Sequence, residues 1–350
     1  MTAAVGIAQS GVNNVSWRNR IINGGMVFDQ RNAGAATANT ISGYTLDRWA
    51  VSQSTTGKLI AQRNAGSVTP PAGFSNYLGV TSQSAYSVGA GDYYMIYQMI
   101  EGFNTADLAW GTASAQTVTL SFWVRSSLTG TFGGSLQNNA TNRGYPFAYS
   151  ISAANTWEQK TVTIAGDTTG TWETGNLTGI RVQFGLGVGS TYSGTAGAWA
   201  AANLITVTGA TSVVGTNGAT FYITGVQFER GTTATPFEYR DYGRELIMCQ
   251  RYFCKVRMAT QMARCHGYDQ NTQRDLKTIV LPAYMRTTPT VTVTDALVMN
   301  DGGSTIANSS VTGGGNENMS VYFLCNFNYQ PAAGTFFNFY VNGCSASAEL

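Results

Sequence analysis

The sequence predicts an all-β protein, and three observations lead there. Charged residues make up 11% of the 350-residue chain while aromatic residues make up 12%. Segment after segment between 49 and 229 alternates apolar and polar residues with a period of two. No helical repeat of useful length interrupts that run. A typical globular domain is about 25% charged, and a helix-rich protein built on Ala, Glu, Lys and Leu needs that charge. A disordered chain would pair low hydrophobicity with high net charge. The expected architecture is an N-terminal arm, a large jelly-roll β-sandwich, a short connecting helix and a small C-terminal β-sandwich.

Residues 1–20 read as an arm, because Gly, Ala, Ser and Asn dominate and little apolar surface is available to bury. Residues 21–239 read as the jelly roll. WAVSQS (49–54), KLIAQR (58–63), YYMIYQMI (93–100), TVTLSFWVR (117–125), QKTVTIAG (159–166), IRVQFGLGV (180–188) and TFYITGVQFE (220–229) alternate and are rich in β-branched and aromatic residues. Gly, Asn, Ser and Pro clusters separate them. Many strands without crossover helices give a sandwich or barrel. The stretches 131–148 and 189–218 read as long Gly-, Asn-, Ser- and Ala-rich loops, where binding usually resides.

Residues 240–256 read as the connecting helix. Tyr242, Leu246, Cys249, Phe253 and Val256 fall on one face at alternating spacings of four and three. That face packs either on its own sandwich or around a three-fold axis. Residues 257–350 return to strands, at 278–284, 289–299, 319–327 and 335–343, with the Gly-rich 312–318 as a loop. Trp49 reads as a core anchor beside Asp47 and Arg48. Trp157 and Trp172 read as caps on the sandwich core, Pro236 and Phe237 as a staple where the chain leaves the last strand, and Arg286 as part of a turn leading into a strand.

Charge and rare residues limit the chemistry. The net charge is +2, which excludes a strongly polyanion-seeking surface. It divides into +1 over 1–239, +5 over 240–286 and −4 over 287–350. The basic stretch interleaves Arg240, Arg244, Arg251, Lys255, Arg257 and Arg264 with Asp241, Glu245, Asp269 and Asp275. Helix-surface ion pairs explain it better than nucleic acid, with an anionic lipopolysaccharide or capsule as the secondary reading. No apolar run reaches the ~18–20 residues of a membrane span, and the start carries no secretory pattern. His266 is the only histidine. It reads as an ordinary strand or loop residue, since no CxxC accompanies Cys265. Cys249, Cys254, Cys265, Cys325 and Cys344 read as free, buried thiols. No GxSxG, P-loop or dinucleotide motif appears, and GLGVGS (185–190) sits on a strand. No cofactor is expected. No DxDxD cluster marks a calcium site, and the question of a metal stays open.

Several blocks carry a family likeness. They are NRIINGGMVFDQRN (19–32) with YTLDRWAV (44–51), TWEQKTVTIAGDTTGTW (156–172), ITGVQFERGTTATPFEYRDYGRELIMCQRYF (223–253), and LPAYMRTTPTVTV (281–293) with the ending ASAEL (346–350). In this order they resemble tail-fibre and minor structural proteins of tailed bacteriophages and related gene-transfer particles. The resemblance implies a virion component made in the host cytoplasm, often a homotrimer. Its jelly roll would be similar to carbohydrate-binding modules, and its arm would meet other virion proteins. It also implies attachment to a host surface polysaccharide. Stretches 64–92, 126–150 and 189–218 fall outside the likeness and should hold what distinguishes this chain.

A sugar site needs aromatic faces for the C–H surface of the ring, with amide and Arg donors for its hydroxyls. The stretch 137–149 supplies Asn138, Asn139, Asn142, Arg143 and Tyr145, and the stretch 189–203 supplies Tyr192 and Trp199. The bland reading is that Tyr145 and Trp199 pin their loops to the sandwich. A glycan depolymerase would need two carboxylates ~5–9.5 Å apart, with Glu158 and Glu173 the nearest candidates. An architectural spacer or capsid decoration without its own ligand is the other alternative.

Overall fold

The computed structural model describes residues 17–38, 42–262, 273–300, 310–327 and 337–350. Two compact units divide the chain, Met1–Arg240 and Asp241–Leu350.

Strands of the first unit are β1 (Thr37–Ala38), β2 (Ser42–Leu46), β3 (Trp49–Gln53), β4 (Leu59–Arg63), β5 (Leu78–Ser82), β6 (Tyr93–Glu101) and β7 (Val118–Ser126). There follow β8 (Gly130–Gln137), β9 (Gly144–Ile151), β10 (Glu158–Ile164), β11 (Thr178–Val188), β12 (Ser193–Gly194), β13 (Thr206–Val207) and β14 (Thr220–Arg230). Twelve of them form two six-stranded antiparallel sheets, ordered β1-β4-β5-β14-β7-β10 and β2-β3-β6-β11-β8-β9, while β12 and β13 form a short parallel pair of their own. The chain alternates between the sheets, as a jelly roll requires.

Period-two patterning decides what lies between the sheets. On β7, Val118, Leu120, Phe122 and Val124 are fully buried, while Trp123 and Arg125 keep some exposure. On β11, Val182, Phe184 and Leu186 face the same core. Trp49, Phe132, Phe147, Phe221 and Phe228 complete it, with Trp49 donating its indole N–H to the Asn23 carbonyl at 3.1 Å. Trp157 caps one edge over Tyr77, with ring centroids 5.5 Å apart, and Phe237 packs 5.0 Å from Phe74.

Several expectations need correction. The stretch 131–148 is largely strand, not loop: β8 and β9 pair as a hairpin from Gly130↔Ile151 to Gln137↔Gly144. Gly133, Gly134 and Pro146 hide the pattern. Pro146 is tolerated because β9 is an edge strand. Of the expected arm, 1–16 lies outside the described residues. Residues 17–20 run onto the sandwich, where the buried Asn19 accepts from the Phe228 amide and donates to the Val226 carbonyl, each at 3.0 Å.

In the second unit the helix is shorter than expected. Helix α1 spans Tyr242–Gln250, capped by Asp241, whose carboxylate accepts from the Gly243 and Arg244 amides. Phe253 and Val256 belong to the next strand, β15 (Phe253–Met262), because residues 253–256 find ladder partners at 344–347. The remaining strands are β16 (Gln273–Val280), β17 (Thr290–Asn300), β18 (Ser310–Glu317), β19 (Ser320–Phe327) and β20 (Phe337–Ser347). They form two three-stranded sheets, β15-β20-β17 and β16-β19-β18. The Gly-rich 312–318, expected as a loop, falls mostly in β18, where backbone pairing with β19 holds it. Arg286 fastens the chain end, donating to the carbonyls of Ala348 and Glu349 at 2.9 Å each.

Cys249, Cys254 and Cys344 are buried. Burial pushes the Cys254 and Cys344 thiols up to about 11. His266, Cys265 and the side chain of Cys325 lie outside the described residues. No described helix is long and apolar enough to cross a membrane.

Candidate functional site

The residues named from the sequence separate into two places. Asn138, Arg143, Tyr145 and Trp199 gather at one end of the sandwich, and all four are engaged internally. The buried Asn138 accepts from the amides of Asn142 and Arg143 at 3.1 Å and donates to the Thr171 carbonyl at 3.1 Å. It thereby shapes the β8–β9 turn. Arg143 forks onto Asp167, Nε to Oδ2 at 2.8 Å and Nη2 to Oδ1 at 2.6 Å. Burial pulls the Asp167 carboxyl up, but the Arg143 hydrogen bond, the Thr169 amide and the Arg143 charge outweigh it, so it titrates below its ordinary value. Trp199 donates to the Ala165 carbonyl at 2.8 Å and meets Trp110 at 5.2 Å, Trp172 at 5.3 Å and Tyr145 at 5.1 Å. This aromatic knot pins the loop. Asn139 is exposed on the turn.

Tyr192 lies elsewhere, over the outer face of the second sheet. On that face β6 presents Tyr93, Met95 and Tyr97, β3 presents Ser52 opposite Met95, and β11 presents Arg181 opposite Met99. The segment 192–207 straps the neighbouring half of the sheet. Its Leu204 carbonyl accepts from three side chains rising from the sheet: Ser135 Oγ, Gln137 Nε2 at 2.9 Å and Gln183 Nε2 at 3.2 Å. Glycine lets the strap lie close. A Cβ at Gly133 would stand 2.5 Å from Thr206 Oγ1, and one at Gly185 would stand 2.8 Å from Thr206 Cβ. Strap residues Ser193 and Gly194 pair with Thr206 and Val207, and the Ile205 amide donates to the Tyr192 carbonyl at 2.7 Å.

Where the strap ends, a groove opens. Ser52, Tyr93, Met95, Tyr97, Arg181, Tyr192, Asn203 and Ile205 line about 290 Å³. Tyr192 stands edge-on to Tyr93, ring centroids 5.7 Å apart at 89°. The Arg181 guanidinium lies 5.4 Å from the centre of the Tyr97 ring. Asn203 forms the strap-side wall, its Oδ1 held by Gln137 Nε2 at 2.7 Å. Phenol, thioether and guanidinium groups dominate, and among the described residues no carboxylate lines the groove. The arrangement can stack on a ring, donate hydrogen bonds and attract negative charge.

Glu158, the first candidate acid, is bound by the Lys160 ammonium at 2.5 Å and by the amides of Ser152 and Ala153. The Lys160 hydrogen bond holds its carboxyl below the ordinary range, which suits a fixed anion rather than a proton donor. Among the described residues no three His, Cys, Asp or Glu side chains converge as a metal site would need.

Of the residues named from the sequence, Tyr192 lines this groove; Tyr93, Tyr97 and Arg181 line it too and are not singled out by the sequence. A signal was present. YYMIYQMI, read above as alternating, carries Tyr93, Met95, Tyr97 and Met99 in one phase and Tyr94, Ile96 and Ile100 in the other, so both faces of that strand carry large side chains.

The fold places the first unit among antiparallel β-sandwiches. No protein-family model matches the chain, and no curated protein matches it. Solved structures do show likeness. The enzymatically active domain of tailspike protein 4 from bacteriophage CBA120 is 13% identical at a TM-score of 0.34, over 61% of this chain and 21% of that one. A family 61 carbohydrate-binding module in complex with β-1,4-galactotriose is 10% identical at 0.32, over 61% and 99%. A putative sugar-binding protein from Bacteroides thetaiotaomicron is 11% identical at 0.36, over 61% and 100%. Likeness at this level leaves the chain's own side chains as the ground for a functional reading.

Proposed function

We propose that the chain binds a saccharide without cleaving it, in the groove on the outer face of the second sheet, and does so as the host-attachment part of a phage-like virion. One observation carries the binding reading. The strap covers one half of an exposed sheet and stops, leaving Tyr93, Tyr97 and Tyr192 around a space of about 290 Å³ with Arg181 and Asn203 at its walls. Aromatic faces beside amide and guanidinium donors are what a sugar ring asks for. A groove without carboxylates supports binding over hydrolysis, which uses two of them. The virion setting and the trimer rest on the sequence blocks that resemble tail-fibre proteins. The fastened end around Asn138, Arg143, Tyr145 and Trp199 is assigned to holding the scaffold.

The test is to offer the purified chain arrayed bacterial surface polysaccharides and intact host cells. Binding is expected, with at least a tenfold loss, about 1.4 kcal/mol, in Tyr93→Ala and Tyr192→Ala. Both residues are half-buried, so unfolding should change little. Absence of binding to every saccharide and cell would refute the reading, and release of reducing ends would replace it with an enzyme.

A further inference from the structure

Arg181 differs from three other enclosed arginines of this sandwich. Arg143 forks onto Asp167, Arg240 reaches Glu238 at 3.3 Å and Arg20 reaches Asp107 at 2.7 Å. Arg181 has no carboxylate in ion-pair reach among the described residues. Its Nε is buried without a hydrogen-bond partner, and its guanidinium lies 5.4 Å from the centre of the Tyr97 ring.

A guanidinium does not shed its proton in a protein. Burial lowers the pKa of Arg181, which expresses the cost of holding that charge away from water. The Tyr97 ring offsets part of the cost as a cation–π contact. The acid nearest in sequence to the lining is Asp92, beside Tyr93. It is already occupied by the Ser54 and Tyr86 hydroxyls at 3.0 and 2.9 Å and the Gly89 amide at 2.8 Å. Further along the same face a second guanidinium, Arg31, lies 4.9 Å over the Tyr44 ring. The open half of the sheet therefore combines tyrosines with arginines, and no acid among the described residues lines its groove.

We infer that the saccharide taken by this groove is acidic, and that an oxyanion on its ring, a carboxylate, sulfate or phosphate, seats on Arg181. This rests on the saccharide-binding reading above and narrows it. The ring packs on Tyr93 and Tyr192 while the Arg181 N–H groups donate to the anion. A charge-assisted hydrogen bond to an otherwise unpaired guanidinium is a strong contact, and it makes a neutral sugar of the same shape a poorer ligand.

The full chain is titrated with polyuronates and with sulfated and phosphorylated glycans. Each is paired with a neutral counterpart: methyl-esterified, desulfated or dephosphorylated. At least tenfold preference for one acidic class is expected, shrinking as salt rises; which class wins identifies the anion. Arg181→Gln should abolish the preference, Arg181→Lys should keep part of it, and Arg244→Gln on the α1 surface should leave it intact. If an Arg181 variant fails to fold, the wild-type preference and its salt dependence still decide. Equal binding of acidic and neutral partners overturns the inference and leaves the saccharide reading standing, as does a preference lost in Arg244→Gln instead. Binding of neither overturns both.

Discussion

Arg143 distinguishes a fastener from a ligand contact. The sequence offers it as a sugar donor; the structure spends it on Asp167. Arg143→Ala would leave the Asp167 carboxylate, whose side chain is 2% exposed, without its forked partner. Breaking one side of a fully buried ion pair costs about 3–5 kcal/mol. The Arg143 side chain is 16% exposed, and Thr169 still donates to Asp167 from its amide and hydroxyl at 3.1 Å. The expected loss is therefore about 2–3 kcal/mol, or roughly 4–12 °C in Tm for a unit of this size. Urea and thermal unfolding at several pH values measure it. The sign of the pH effect follows from the depressed Asp167 pKa. The pair stabilises the fold above the unfolded carboxylate pKa, and that contribution is lost as pH falls through the lower folded value. The gap between wild type and variant should thus close in acid. Saccharide affinity should not change. A variant of unaltered stability that has lost its ligand would refute the assignment and return the site to the β8–β9 turn.

Three further outcomes follow from the same contacts. Trp199→Ala removes a half-buried ring from the knot with Trp110, Trp172 and Tyr145 and should cost about 2–3 kcal/mol in denaturant unfolding, somewhat below the range for a fully buried aromatic. Gly185→Val drives side-chain atoms against Thr206 and Val188. It should cost about 1–3 kcal/mol and weaken saccharide binding by moving Tyr192 and Ile205, read by calorimetry on a variant confirmed to be folded. Cys254 and Cys344, with thiols raised to about 11, should resist iodoacetamide at mildly alkaline pH in the native chain and react on unfolding; equal rates in both states would count against their burial.

The sequence showed the all-β fold because the strands facing one core write their period plainly, as TVTLSFWVR does in β7. It concealed β8 because Gly133 and Gly134 erase the alternation there. The glycine at 133 is needed to let a strap, distant in sequence, lie on the sheet, and no local pattern reports that need. The helix was drawn past Gln250 because Phe253 and Val256 continue its spacing; ladder bonds to residues 344–347 prevailed. That LPAYMRTTPTVTV and ASAEL meet is not legible in either block; Arg286 ties the first to the second through the carbonyls of Ala348 and Glu349. Site reasoning favoured loops rich in Asn, Tyr and Trp. Composition cannot tell that Arg143 will meet an aspartate 24 residues away, or that Arg181 will meet none among the described residues. Of the seven residues named, Tyr192 alone lines the groove.

The most direct test is an experimental structure of the chain with a bound oligosaccharide. The ring is expected against Tyr93, Tyr97 and Tyr192, within hydrogen-bond reach of Arg181 and Asn203. A saccharide found instead on the turn around Asn139, or on the Trp172 and Trp199 end with the groove empty, would contradict the account.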